Sequence, residues 1–242
     1  MAILAGAMSW AGSMAASAAA EAPITNEHAP PPCLLPPAAE RREPALCARL
    51  ADDAVAAFGT SRLDALIETS RRDIGRSAFD TAQRSLDCVV ALAPAQPEPD
   101  LRRRLFRAHA ALDYARDRMP EALDGLHCAL ALSSQGDDRK AEASDLNAVG
   151  SALRRLGDYR GALAALTESL RMQRALGDAG GAVLNNIADV YRELDEPAEA
   201  LRHYRDAYAV YRKADDPGHA AQVLESMAVV ALESQQPGQA RT

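Results

Sequence analysis

A repeat of about 40 residues runs through most of this 242-residue chain and limits what it can fold into. One copy reads LNAVGSALRRLGDYRGALAALTESL from Leu146, and the next reads LNNIADVYRELDEPAEALRHYRDAY from Leu184. A fixed period of this length indicates stacked copies of one small structural unit. Equivalent alanines follow one another at intervals of 40, 40, 38 and 40 residues: Ala82, Ala122, Ala162, Ala200 and Ala240.

Each copy has the pattern of two helices. Apolar residues recur at steps of three and four, as on one face of a helix, and no segment alternates with the period of a strand. Between the two apolar stretches, Gly157 can end one helix in the left-handed conformation and Asp158 can cap the next. Because neither helix can bury its apolar stripe alone, we expect the units to stack. The predicted fold class is all-α.

Small or aromatic residues recur at matching positions of the copies. Small side chains let two helix backbones approach closely, and an aromatic ring can fill the space beside such a crossing. These positions therefore predict where helices cross within a unit. The structural repeat positions are Ala82, Ala122, Gly150, Ala162, Ala188, Tyr191, Ala200, Tyr204 and Ala240.

The pattern of Gly150, Gly157, Tyr159 and Ala162, repeated around Ala200, resembles the tetratricopeptide repeat family. The resemblance implies a right-handed superhelical solenoid of antiparallel helix pairs that binds proteins or peptides. It is strong over 143–242, moderate over 98–142 and faint before Ala82. The long unit and the Leu-Asn-Asn-Ile-Ala run at 184–188 are similar to the subclass found in kinesin light chains.

The chain divides into four predicted segments. Residues 1–20 are apolar and end in Ala18-Ala19-Ala20, which is typical of a signal peptide, although no Lys or Arg precedes the apolar stretch. A disordered alanine-rich leader is the alternative. The expected location is therefore outside the cytoplasm, in the periplasm of a bacterium, with the cytoplasm as the alternative. The other segments are a Pro/Ala-rich linker at 21–44, divergent helices with a first degenerate repeat at 45–97, and the repeat array at 98–242.

The last repeat is expected to be incomplete, because Thr242 follows Ala240 by only two residues. Repeat arrays normally end in a helix that covers the final apolar face. We therefore expect a fragment or a truncated reading frame. An uncovered apolar end could also drive self-association.

The four cysteines are Cys33, Cys47, Cys88 and Cys128. Cys33 and Cys47 flank a short proline-containing segment, and an oxidising compartment would let them form a disulfide. Cys88 and Cys128 lie at matching places in successive helices, where a bridge between them looks awkward, so we interpret both as small core residues. No CxxC spacing predicts a zinc site.

The resemblance also predicts a ligand-binding face. In this family the first helix of each unit lines the concave side of the solenoid, and its polar residues face the groove. Asparagine amides there can pair with an extended peptide backbone, and arginines can hold a carboxylate. The lysines of the family's carboxylate clamp are missing, which argues against a chaperone-tail ligand. The predicted concave-face residues are Asn147, Ser151, Arg154, Arg155, Asn185, Asn186, Asp189 and Arg192.

A basic cluster opens the helix predicted after Pro99. Arg103 and Arg107 share one face of that helix, next to acidic residues such as Asp100. We interpret the cluster as a solvated, salt-bridged surface. The chain as a whole carries a formal net charge of -7, so nucleic acid is not an expected partner.

No motif of catalysis is found, and we predict no enzyme activity, no cofactor and no metal. His127 adjoins Cys128, but adjacent residues on a helix point apart, so they do not form a nucleophile–base pair. Phosphate-binding loops and nucleophile elbows are missing, as is a membrane span. Two hypotheses for function remain: a scaffold that binds proteins or peptides, and the sensory half of a truncated bacterial signalling protein, a diguanylate cyclase or a histidine kinase.

Overall fold

The computed structural model describes Cys33 and residues 44–58, 61–94 and 96–234. The predicted signal peptide at 1–20, most of the predicted linker, and Ala240 with the end of the last repeat lie outside the described residues, so those three expectations stay predictions.

The described residues form ten α-helices and contain no strand, which confirms the all-α prediction. Short turns join most of them, so consecutive helices run antiparallel. Helices α4 to α7 and α9 each have 17 residues, whereas α2 and α3 have 14. The helices are α1 Pro44–Phe58, α2 Arg62–Gly75, α3 Phe79–Leu92, α4 Pro99–Ala115, α5 Met119–Gln135, α6 Arg139–Arg155, α7 Tyr159–Ala175, α8 Gly181–Glu193, α9 Pro197–Lys213 and α10 Pro217–Ser234.

The helices pack as consecutive pairs that stack into a solenoid. The pairs are α2 with α3, α4 with α5, α6 with α7, and α8 with α9, while α1 covers the start and α10 packs on α9. First helices also touch across neighbouring pairs, α2 against α4 and α6 against α8. We call the surface formed by α2, α4, α6, α8 and α10 the first-helix face.

The turns between paired helices share one backbone conformation. Gly157 has φ +80°, the left-handed conformation expected from the sequence, and Asp158 then accepts from the Gly161 backbone N–H at 2.9 Å. At the equivalent turns Ser77, Asp117 and Asp195 take the same conformation with φ near +60°. Short polar side chains tolerate it because they can bond locally to the backbone. A glycine is therefore not required at every turn, which is one reason the repeat is hard to see near the N-terminus.

The repeat alanines lie at the helix crossings. Ala82, Ala122, Ala162 and Ala200 are all fully buried. Opposite them the first helix carries a small residue: a Cβ placed on Gly150 would lie 2.5 Å from Cγ of Leu166. A side chain at that position would clash with the Leu166 side chain and lie 3.2 Å from the Ala162 carbonyl oxygen, so overpacking there would be destabilising.

The other repeat positions are placed by the same crossings. Ala188 occupies the place of Gly150 in the next unit and is fully buried. Tyr204 is also fully buried, and Tyr191 packs against the same core. The ring of Tyr191 stacks on His203 with centroids 5.4 Å apart.

The predicted Cys33–Cys47 disulfide is wrong. Cys47 pairs with Cys88, with Cα atoms 5.1 Å apart, and Cys33 pairs with Cys128 at 5.4 Å. Cys88 and Cys128 are buried as expected, but they are half-cystines and not free core residues. Helix α1 folds back onto α2 and α3 and brings Cys47 to α3, while Cys33 packs against α5. Closeness along the chain was a poor guide, because the two cysteines contact different helices of the stack.

Candidate functional site

The predicted concave-face residues lie on α6 and α8, which face each other on the first-helix face. Asn186 Nδ2 donates to Oδ1 of Asn147 at 2.8 Å and so joins the two helices. The Ser151 hydroxyl donates to the backbone carbonyl of Asn147 at 3.1 Å. Two of the three predicted asparagines are therefore engaged with each other, each still keeping donor or acceptor capacity.

The two arginines proposed to hold a ligand carboxylate already have carboxylate partners. Arg154 donates to Glu193 and lies 4.0 Å from Asp189. Arg155 bonds Asp117 at 2.7 Å, and its guanidinium lies 5.0 Å from the centre of the Tyr114 ring. A ligand carboxylate would have to displace these partners, so the structure gives the arginines a role in joining units.

Asp189 and Arg192 are also tied to the protein. The Tyr204 hydroxyl donates to Asp189 at 2.5 Å, which links α9 to the first-helix face. Burial, and then the Asp189 carboxylate that accepts its proton, raise the pKa of Tyr204 above its ordinary value. Arg192 lies 3.8 Å from both Glu193 and Glu233, the latter on α10.

Ionic contacts of the same kind join the first helices of the N-terminal half. Arg104 of α4 pairs with Asp64 of α2, and the Ser61 hydroxyl followed by Arg104 lowers the pKa of Asp64. Arg107 of α4 bonds Asp145 of α6 at 2.5 Å. Asp145 is fully buried, and it also accepts from the Ser133 hydroxyl at 2.8 Å.

Asp145 was not among the residues predicted from the sequence. It immediately precedes the apolar repeat position Leu146, and nothing in the helical pattern marks an aspartate there as buried. The arginine cluster on α4 was the one signal in the sequence that pointed to a buried acid, because a buried carboxylate needs cationic partners. Arg103 is only 16% exposed and lies 3.7 Å from Asp145, so the cluster is salt-bridged as expected but is not a freely solvated surface.

One pocket on the first-helix face contains predicted ligand-binding residues. It has a volume of about 440 Å³ and lies between α8 and α10. Asn185 and Asn186 line one wall, and Gln222, Glu225 and Ser226 line the other. His219 closes one end, stacked on Tyr211 at 5.0 Å and bonded to Asp216 at 2.6 Å. We call this the amide pocket.

The amide pocket has the chemistry of a site for polar backbone groups. Each carboxamide offers two N–H donors and one carbonyl acceptor, and together they can satisfy both the N–H and C=O of an extended chain. Asn185 makes no hydrogen bond within the described residues, so its amide is available. Val223 and Ala182 add a small apolar surface beside it.

A metal site needs several ligating side chains close together, and a thiol-based catalytic centre needs a free cysteine. No group of three or more His, Cys, Asp or Glu side chains there is arranged to hold a metal ion. The Cys128 sulfur is bonded to Cys33, so it is not a free thiol beside His127. Burial lowers the pKa of His127.

Of the ten described helices, none is long and apolar enough to cross a membrane.

A family model, described as tetratricopeptide repeat, matches residues 102–175 and 181–242, which together make up more than half of the chain. No curated protein matches the sequence.

Several solved structures have the same fold. BtubC (BKLC) from P. vanneervenii aligns with TM-score 0.56 at 16% identity, over 83% of this chain and 93% of its own. A putative kinesin light chain with nearly identical TPR-like repeats, from Podosopora anserina, gives TM-score 0.53 at 17% identity, over 74% of this chain and 98% of its own.

A third structure is a signal transduction ATPase with numerous domains (STAND) from Pyrococcus horikoshii, which carries a tetratricopeptide repeat sensor. It aligns with TM-score 0.59 at 16% identity, over 74% of this chain and 30% of its own. At these identities the likenesses show the fold alone.

Proposed function

Because the chain belongs to the tetratricopeptide repeat family, whose repeats serve as protein-interaction scaffolds, we propose that it binds a protein or peptide through its first-helix face. The proposal includes the absence of catalysis by the chain itself. The observation that carries it is the amide pocket, where Asn185 and Asn186 face Gln222 and Ser226 across α8 and α10. An extended peptide segment is the ligand whose polar groups these side chains match best.

Within the proposed site the residues divide into two roles. Asn185 contacts the ligand directly, while Asn186 also bonds Asn147 and so positions the groove wall. Arg154, Arg155, Asp189 and the other ion-paired residues keep neighbouring units in register. Ligand specificity then depends on the amides, on the shape of the pocket, and on the Glu225 carboxylate that also lines it.

The test is a peptide selection followed by affinity measurement. Peptides selected from a display library on the full chain should bind Asn185→Ala roughly tenfold more weakly, since one buried hydrogen-bonding pair is worth about that factor. The matched control is Arg205→Ala, which changes an exposed residue of α9. Peptides that bind both variants and the original chain equally would show that the amide pocket is not the site.

We also propose that the protein is exported to an oxidising compartment, the periplasm of a bacterium. The two disulfides support this, because such bonds persist outside the reducing cytoplasm. Protease accessibility of the protein in spheroplasts against intact cells would test it. Protection in spheroplasts would favour the cytoplasmic alternative.

A sensory role is the second candidate function. The observation that favours it is the fold similarity to the tetratricopeptide repeat sensor of the STAND protein. In this version the amide pocket receives the signal and an attached domain, a diguanylate cyclase or a histidine kinase, responds. A reading frame that continues past Thr242 into a membrane span and such a domain would favour the sensor, and a short helix with a stop would favour the free scaffold.

Self-association through α10 is a further part of the proposal. Leu224, Val229 and Leu232 are 47%, 39% and 61% exposed, on the helix that follows the last complete pair. In the interior of the stack the corresponding apolar surface is covered by the next helix. Sedimentation that depends on protein concentration, and that is lost in Leu232→Glu, is the expected result.

A further inference from the structure

A second pocket lies at the other end of the first-helix face, between α2, α4 and α6. Its volume is about 430 Å³, within the range of small-molecule sites. The floor is aliphatic, with Ile67 and Ile74 from α2 and Ala108 and Ala111 from α4. We call it the arginine pocket after the residues of its rim.

The rim presents four guanidinium groups to the interior of the pocket. These are Arg71, Arg103, Arg104 and Arg107, and no aspartate or glutamate is among the lining residues. A group that enters the pocket therefore meets cationic N–H donors above an apolar floor.

Carboxylates hold these arginines from outside the pocket. Asp100 accepts from Arg103 at 3.0 Å and from Arg104 at 2.9 Å, and buried Asp145 accepts from Arg107 at 2.5 Å. The guanidinium groups are thus fixed in place before any ligand arrives, which lowers the entropy lost on binding. Within the described residues, Nη2 of Arg104 and Nη2 of Arg107 donate no hydrogen bond. An anion can take those donors without breaking an ion pair.

A buried hydroxyl in the pocket wall also lacks a partner. Ser70 is fully buried and lines the pocket, and its Oγ has no hydrogen bond among the described residues. An unpaired buried hydroxyl is unfavourable.

We propose that the arginine pocket binds a small organic acid, a carboxylate carried on an aliphatic body. The carboxylate takes the free N–H groups of Arg104 and Arg107, and the hydrocarbon lies on Ile67, Ile74 and Ala111. An inorganic anion could pair with the arginines of the rim but would leave the aliphatic floor exposed to water. A neutral hydrocarbon could cover the floor but would make no hydrogen bond to the arginines. This site is separate from the amide pocket and does not depend on peptide binding.

The proposal is tested by calorimetric titration of the full chain with octanoate, octanamide and inorganic phosphate. Octanoate should bind saturably at one site. The affinity for octanamide should be at least about tenfold lower because it lacks the charge-assisted hydrogen bonds, and the affinity for phosphate should be at least about tenfold lower because it lacks the aliphatic contact. Equal binding of octanamide would indicate a merely apolar patch, and equal binding of phosphate a general anion site. Either result would overturn the proposal, as would no binding of octanoate.

Two variants locate the site. Ala111→Trp fills the pocket from an exposed position of α4, and it should lower octanoate affinity at least about tenfold. Ala209→Trp, at an exposed position of α9, is the matched control and should bind as the original chain does. Unchanged binding by Ala111→Trp with an unchanged melting temperature would place octanoate elsewhere.

Arg71→Gln removes one positive charge from the rim. The Arg71 side chain is 71% exposed, and among the described residues it pairs only with Glu68, so the substitution should not affect folding. Octanoate affinity should fall about threefold, the size of a screened surface charge contact, while Arg205→Gln leaves it unchanged. An acidic peptide that binds with dependence on Ala111 and Arg71, when octanoate does not bind, would assign the pocket to a protein partner and overturn the proposal.

Discussion

The two halves of the solenoid are held together differently. In the N-terminal half, α1 to α5, the disulfides Cys47–Cys88 and Cys33–Cys128 join elements 41 and 95 residues apart in sequence. The C-terminal half, α6 to α10, contains no cysteine and is held by packing and by polar contacts between units. One continuous buried cluster runs from α7 to α10 and includes Tyr204, while Val149 and Ala152 of α6 cluster with residues of α4 and α5. In the N-terminal half the buried residues fall into several smaller clusters.

One cross-link, Cys47–Cys88, lies where the repeat is faintest. Helices α2 and α3 are three residues shorter than α6 and α7, so they offer less length for packing against their neighbours. A disulfide compensates by restricting the unfolded chain and does not require a large core. One solenoid therefore combines a packed array with a covalently stabilised end.

The polar surfaces of the two halves differ as well. The amide pocket in the C-terminal half offers carboxamides and the Glu225 carboxylate, whereas the arginine pocket in the N-terminal half is lined by guanidinium groups. The first-helix face therefore carries two pockets with different chemistry. Changes made in one half should leave binding in the other half intact.

The largest expected effect is the loss of the Cys47–Cys88 disulfide. Changing both cysteines to alanine should lower the free energy of unfolding of the N-terminal half by about 2–5 kcal/mol. Hydrogen exchange should then show α1 to α3 losing protection while α7 to α9 keep theirs. Equal loss of protection along the chain would mean that the halves are not stabilised independently.

The second-largest expected effect is the destabilisation caused by overpacking in the C-terminal half. Ala200→Leu places a larger side chain at a fully buried helix crossing and should cost about 1–3 kcal/mol, measured by urea unfolding. Here protection should be lost in α8 to α10 and retained in α1 to α3. Ala198→Leu, two residues earlier at an exposed position, is the control and should melt as the original chain does.

The smallest effect concerns the hydrogen bond between α9 and the first-helix face. Tyr204→Phe leaves Asp189 without its hydroxyl donor and should cost about 1 kcal/mol in thermal unfolding. Tyr208→Phe is the matched control, because that hydroxyl forms no hydrogen bond within the described residues. If both variants melt alike, the bond from Tyr204 does not contribute to the packing of the C-terminal half.

Much of the fold follows from local pattern. Ala162 and Ala200 could be placed at helix crossings because a helix that must pack on both neighbours repeats its small residues with the period of the unit. Gly157 and Asp158 marked a turn by their own backbone preferences. The candidate site was predictable in location, since Asn185 and Asn186 do line a pocket on the first-helix face.

The partners of those site residues were not predictable in the same way. From the sequence, Arg154 and Arg155 were predicted to be available for a ligand carboxylate. In the structure each pairs with an acidic residue of a neighbouring unit, about 40 residues away in sequence. Ion pairs across units depend on the stagger between helices, and that stagger depends on how the crossings pack.

The sequence alone determined the all-α class, the length of the unit, the register of the buried alanines and the family, because each of these depends on intervals along the chain. Tertiary structure decided which cysteines pair, that Asp145 is buried between arginines, and that four guanidinium groups surround an aliphatic floor. Those features depend on distances between residues from different units, and such distances exist only after the helices have stacked.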